Sequence, residues 1–181
     1  MKKIIIFLTS IFLLTGCGNN TLLNTPTKKV EMFFEKYQSL DDDVLNQLND
    51  VAENEISFTD EQRKDYIELM KKHYQSLKYE IKDEVIDGDT ATVTTEVEVI
   101  DYSKILSEAD EYLEKNKKDF VDENGEYDET LFNKYRLKKL KDADETVKYT
   151  IDMTLTKIDG NWMLDDVSKD VNDKIQGIYE H

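Results

Sequence analysis

The chain has 181 residues, 35% of them charged, and its 24 Lys+Arg against 40 Asp+Glu leave a formal charge of -16. That balance argues against nucleic acid as a partner, because phosphate binding needs a basic surface. A single Cys and two His exclude a disulfide framework, a multi-cysteine zinc site and most His-based metal sites, and one Pro with 6 Gly is far from a disordered or collagen-like composition.

Met1-Lys2-Lys3 is a short basic start, and Ile4 to Leu14 is apolar apart from Thr9 and Ser10. The run is shorter than the roughly 20 residues of a spanning helix and has the size of the apolar segment of a secretory signal peptide. It ends in Leu14-Thr15-Gly16-Cys17, which resembles the bacterial lipobox: a Leu three positions ahead of the Cys and a small residue directly ahead of it. The resemblance implies that residues 1–16 are a lipoprotein signal peptide and that Cys17 receives a diacylglyceryl group and becomes the first mature residue. The membrane is then a partner through the lipid on Cys17, at the extracytoplasmic face of the cell membrane. Two acyl chains on one Cys meet the two-signal requirement for stable anchoring. A Cys buried in a core helix is the competing reading, but such a helix would not open behind two lysines and stop at Gly16-Cys17-Gly18-Asn19-Asn20. Cleavage removes Lys2 and Lys3, so the charge moves from -16 to about -18. Residues 17–25 read as a flexible tether.

Thr25-Pro26 marks a helix start, with Thr as N-cap and Pro at the first helical position. Val30, Phe33, Phe34 and Tyr37 follow at helical spacing on one face. Asp41-Asp42-Asp43 interrupts the pattern, and Val44, Leu45 and Leu48 predict a short second helix. Thr59 and Gln62 form a capping box ahead of a third helix carrying Tyr66, Ile67, Met70 and Tyr74. The period then changes to two. Leu77, Tyr79 and Ile81, extended to Val85, alternate with charged residues, Asp87-Gly88-Asp89 turns the chain, and Ala91, Val93, Thr95, Val97 and Val99 alternate back. A second hairpin runs through Val147, Tyr149, Ile151, Met153 and Leu155, turns at Asp159-Gly160-Asn161 and returns through Trp162-Met163-Leu164. Ser168 caps a last short helix with Val171, Ile175 and Ile178 inward. Between the hairpins, residues 102–145 read as a helical insertion of two helices packed on the rim.

These pieces resemble secreted bacterial lipoproteins with the nuclear-transport-factor-two-like, or cystatin-like, cone fold. The resemblance rests on Thr25-Pro26 through Val30, Phe33, Phe34 and Tyr37, on Asp87 to Val93, and on Leu155 to Val167, with 102–145 outside it. It implies an α+β domain over residues 26–181, with a cone-shaped antiparallel sheet packed on the N-terminal helices. The cone would enclose a cavity, with Phe34, Tyr66, Tyr79, Tyr149 and Trp162 as candidate lining. Enzymes of that fold place carboxylate, His or Tyr side chains inside the cone.

Motifs for chemistry are sparse. Tyr66, Tyr74, Tyr79 and Tyr149 fall on the same stripes as Ile and Met, where Tyr is usually core. Asp152 and Asp166 are candidate buried carboxylates. His73, between Lys72 and Tyr74, reads as a surface or rim residue. The acidic run from Asp122 to Glu129 fails as a calcium loop: started at Asp122, position 127 should be Gly and is Tyr, and started at Phe120, the first ligand is apolar. No catalytic residue, metal site or cofactor is expected. Trp162 reads as core packing over the sheet. The sequence therefore predicts a membrane-anchored, non-enzymatic module that binds a protein or ligand. A field this acidic suits a basic extracytoplasmic protein, peptide or wall component. The alternatives are a small-molecule enzyme using the cone cavity and an immunity or structural surface protein.

Overall fold

The computed structural model describes residues 23–179, so the lipobox residues Leu14, Thr15 and Gly16, the lipidation site Cys17 and most of the tether lie outside the described residues. The element order is α1 (Pro26–Ser39), α2 (Asp42–Asn54), α3 (Asp60–Ser76), β1 (Lys78–Asp87), β2 (Thr90–Ile100), α4 (Tyr102–Lys115), a 3-10 turn (Lys117–Phe120), α5 (Glu129–Lys141), β3 (Thr146–Ile158), β4 (Asn161–Leu164) and α6 (Lys169–Ile175). The class is α+β, with one open antiparallel sheet in the order β1-β2-β3-β4.

Local capping chemistry sets the helix starts. Thr25 Oγ1 accepts from Lys28 N at 3.2 Å, and Pro26 fills the first turn, where an N–H would go unused. Glu84 on β1 adds a cap from far along the chain: its Oε2 accepts from Thr27 N at 2.8 Å and from Thr27 Oγ1 at 2.7 Å. A carboxylate there also meets the positive end of the helix dipole. The Thr59–Gln62 capping box forms as expected, with both reciprocal bonds present. Asp41 caps α2 through Asp43 N, so Asp42 and Asp43 lie inside that helix, which runs 13 residues rather than being short.

The inner sheet face carries Ala91, Val93, Val97, Val99, Tyr149, Ile151, Met153 and Leu155, all buried against Val30, Phe33, Phe34 and Tyr37 of α1 and Tyr66, Met70 and Tyr74 of α3. The two expected hairpins are one meander, because β2 pairs with β3 along its whole length, from Thr90↔Thr156 to Ile100↔Thr146. The outer face carries threonines and a Lys–Glu ladder in which Lys148 Nζ lies 2.9 Å from Glu96 and Lys78 Nζ 3.0 Å from Glu98.

In β1 and α6, one residue each departs from its expected place. A register shift between Ile81 and Asp83 turns Val85 to the outer face, opposite Thr92, where it is exposed. An extra residue in one strand reverses the facing of the residues after it. Ile178 lies beyond the end of α6, although it still packs against the main core. The 102–145 segment does form two helices, α4 and α5. It also has a core of its own, made by Ala109, Phe120 and Phe132 with Leu113 and Tyr135, and it sends Tyr102 and Leu137 into the main core.

Candidate functional site

The five candidate lining residues come together as packed interior. Phe34, Tyr66, Tyr149 and Trp162 are buried, Tyr79 is half-buried, and all five belong to or pack on one core. Phe34 stacks on Tyr79 with centroids 4.8 Å apart. Burial pushes the Tyr66 and Tyr74 hydroxyls well above the usual phenol range, so both keep their protons near neutrality. The carboxylates do not join them. Asp152 and Asp166 are both exposed, and Asp152 accepts from Thr94 Oγ1 at 2.7 Å on the outer face. The expectation of burial fails for Asp152 by strand parity: its neighbours Ile151 and Met153 take the inner face.

His73 departs furthest from its expected place. It is fully buried at the C-terminal end of α3, its Nε2 donating to Ile175 O at 2.9 Å and its ring 5.0 Å from that of Tyr102. Nδ1 has no hydrogen-bond partner among the described residues. Desolvation pushes its pKa down to about 4, against a smaller opposing effect of the Ile175 carbonyl. The imidazole is therefore neutral at pH 7, with its one proton committed to a backbone carbonyl. Unfolding restores an ordinary value near 6.5, so between pH 6.5 and 4 the unfolded chain binds the extra proton. Stability should then fall as pH drops through that window, by up to about 3 kcal/mol. Denaturant melts of wild type and His73→Leu across pH 4–7 check this: the wild-type curve should be the steeper, and parallel curves would refute it.

The acidic loop serves its own backbone. Asp122 Oδ1 accepts from Asn124 N at 2.8 Å and Glu126 N at 2.9 Å, closing a small turn whose arms meet at the Val121↔Tyr127 bridge. Those amides, Glu126 first, hold the Asp122 carboxyl below its ordinary range. Among the described residues no group of three or more His, Cys, Asp or Glu side chains is placed to hold a metal.

A surface pocket of about 390 Å³ lies between α2 and α3, lined by Asn49, Ala52, Glu53, Asp60, Arg63, Lys64 and Ile67. Its arginine is already engaged: Nε donates to Ala52 O at 3.2 Å, Nη2 to Glu55 O at 3.3 Å, and Nη1 meets Asp60 Oδ1 at 2.8 Å. Arg63 thus satisfies carbonyls left open at the end of α2. No sequence signal marked this pocket, since its lining comes from two helices without a shared motif.

The start of the described chain is pinned to one end of the sheet. Asn24 Nδ2 donates to Gly160 O at 2.9 Å, and its Oδ1 accepts from Trp162 N at 2.9 Å. The β1–β2 turn lies at the same end, where Lys157 N donates to Asp89 O at 2.7 Å. The 102–145 segment leaves and re-enters the sheet at the opposite end, beside the Ile100↔Thr146 pair.

Residues 1–17 match the family model of the prokaryotic membrane lipoprotein lipid attachment site. The chain therefore carries the signal of a lipid-anchored membrane lipoprotein, and the match ends on Cys17. No helix among the described residues is long and apolar enough to cross a membrane. No curated protein matches the chain significantly. In structure the chain is similar to a Bacillus subtilis protein provisionally described as a lipoprotein, YcdA, with 15% identity, a TM-score of 0.44, and coverage of 84% of this chain and 47% of that one. It spans about half the length of that protein.

Proposed function

We propose that the protein is an extracytoplasmic, non-enzymatic binding module held at the cell membrane by a lipid on Cys17. In this reading the helices and sheet form a cone-type scaffold of the nuclear-transport-factor-two-like kind, and a basic protein, peptide or wall component is the partner. The lipid attachment signal over residues 1–17 carries the anchoring. The strongly negative charge, -16 for the whole chain and about -18 once Lys2 and Lys3 are removed, supports the choice of partner, because a field of one sign speeds and selects oppositely charged partners. The non-enzymatic part is supported by what the interior groups already do. Tyr66 and Tyr74 are packed in the core, and the His73 proton is held by Ile175 O.

Cys17→Ser is the direct test of anchoring. Wild type should partition into the membrane fraction and show a diacylglyceryl mass on its N-terminal peptide, and the variant should lose both. Membrane retention of the variant would overturn the anchor. For the partner class, oligolysine should bind the full chain in neutral detergent and weaken by about tenfold or more between 50 and 200 mM salt, whereas oligoglutamate should not bind. Equal binding of both would overturn the basic-partner reading.

A further inference from the structure

Among the described residues eight large apolar side chains are exposed, and four of them gather at one end of the sheet: Leu23, Val85, Ile86 and Ile158, each between 44% and 57% exposed. Ile158 ends β3 at the β3–β4 turn, and Val85 and Ile86 precede the β1–β2 turn. The two turns are tied by the Lys157–Asp89 backbone bond, and Leu23 precedes the Asn24 clamp on Gly160 and Trp162. Ile86 shares the inner face with Ala91, whereas Val85 and Ile158 lie on the outer face. The apolar side chains therefore ring the tip of the sheet from both sides.

Cys17 lies six residues before Leu23. Even fully extended, that stretch reaches at most about 22 Å. The tip is thus held within a short span of whatever surface carries the Cys17 lipid. Partial burial of four such side chains is too small to hold a free domain on a bilayer, at about 25 cal/mol per Å². A short tether raises the local concentration to the millimolar range and makes so weak a contact effective. Charge decides which lipid. Asp87, Asp89 and Asp159 flank the apolar residues in the same turns, and an anionic headgroup layer would repel them.

Resting on the proposed anchoring through Cys17, we propose that this end of the domain lies on the bilayer, with Ile86 and Ile158 at headgroup level against electrically neutral lipid. The contact orients the domain: the hairpin turns face the lipid, and the end from which the 102–145 helices spring faces away.

The test uses the full lipidated chain, its Cys17 lipid verified by mass, in phosphatidylcholine vesicles. Spin labels are placed through Ile86→Cys, Ile158→Cys and, as a control, Ile56→Cys on the exposed α2–α3 loop. Collision with oxygen relative to a water-soluble relaxation agent should be at least about threefold higher at 86 and 158 than at 56. Replacing part of the lipid by phosphatidylglycerol should shrink that ratio. Labels at 86 and 158 as water-exposed as the one at 56, on a chain whose lipid is confirmed, overturn this proposal alone. A missing lipid overturns the anchoring reading and this one with it. A ratio that grows with anionic lipid overturns the assignment to neutral lipid.

Discussion

Gly177→Ala should destabilise the domain by about 3–5 kcal/mol and lower its Tm by roughly 10 °C. Gly177 follows α6 at φ 68, in the left-handed region, where its N–H reaches Lys174 O and the next N–H reaches Asp173 O. This is the glycine stop expected at a helix end, and an L-residue there costs about 1–2 kcal/mol. The larger cost is steric. A Cβ at this position would stand 2.0 Å from Ile100 O, a backbone atom that cannot swing aside. The carbonyl of Gly177 also accepts from Tyr102 N at 2.8 Å and Ser103 N at 2.9 Å, so relieving the clash strains two bonds in the first turn of α4, which Asp101 also caps. Gly88→Ala and Gly160→Ala provide the comparison. Both glycines have positive φ but open space around the added Cβ, so only the backbone cost of about 1–2 kcal/mol applies. Urea melts that gave all three variants equal losses would show that the close approach at Ile100 does not matter.

Trp162→Ala should cost a similar amount, about 3–5 kcal/mol, as truncation of a large core aromatic does. The indole lies in the main core on the short strand β4, with Lys157 Nζ 5.4 Å from the ring centroid. The backbone N–H of Trp162 is one of the two bonds that hold Asn24. Loss of the ring should therefore loosen the start of the described chain as well as the core. Hydrogen exchange at the amides of α1, beside the global melt, would register both effects. A Tm within a degree of wild type would remove the indole from the packed interior.

Much of the local architecture was legible because its causes lie within one turn or one strand. Thr25-Pro26, Thr59 with Gln62 and Ser168 announce their helices through side chains that reach amides three residues on. The alternation from Ala91 to Val99 shows its buried face directly, because a strand between two partners has period two. The Asp122 loop was also legible in part: its spacing ruled out a calcium loop, but not that two backbone amides occupy the carboxylate. His73 was misplaced because its burial depends on Ile175, 102 residues away, whose carbonyl gives the ring a partner. Val85 was misplaced because the register shift after Ile81 leaves no local mark in an already charged strand.

By itself the sequence determined the lipid attachment signal, the α+β class, the starts of α1, α3 and α6 and the two turns that fold back the strands. Each of these depends on side chains close together along the chain. Only the tertiary structure decided that the hairpins join through β2 and β3, that Glu84 caps a helix 57 residues earlier, that Asn24 is clamped to the β3–β4 turn, and that the exposed apolar residues meet at the same end. Those features come from contacts between distant segments, and such contacts exist only once the core has brought the segments together.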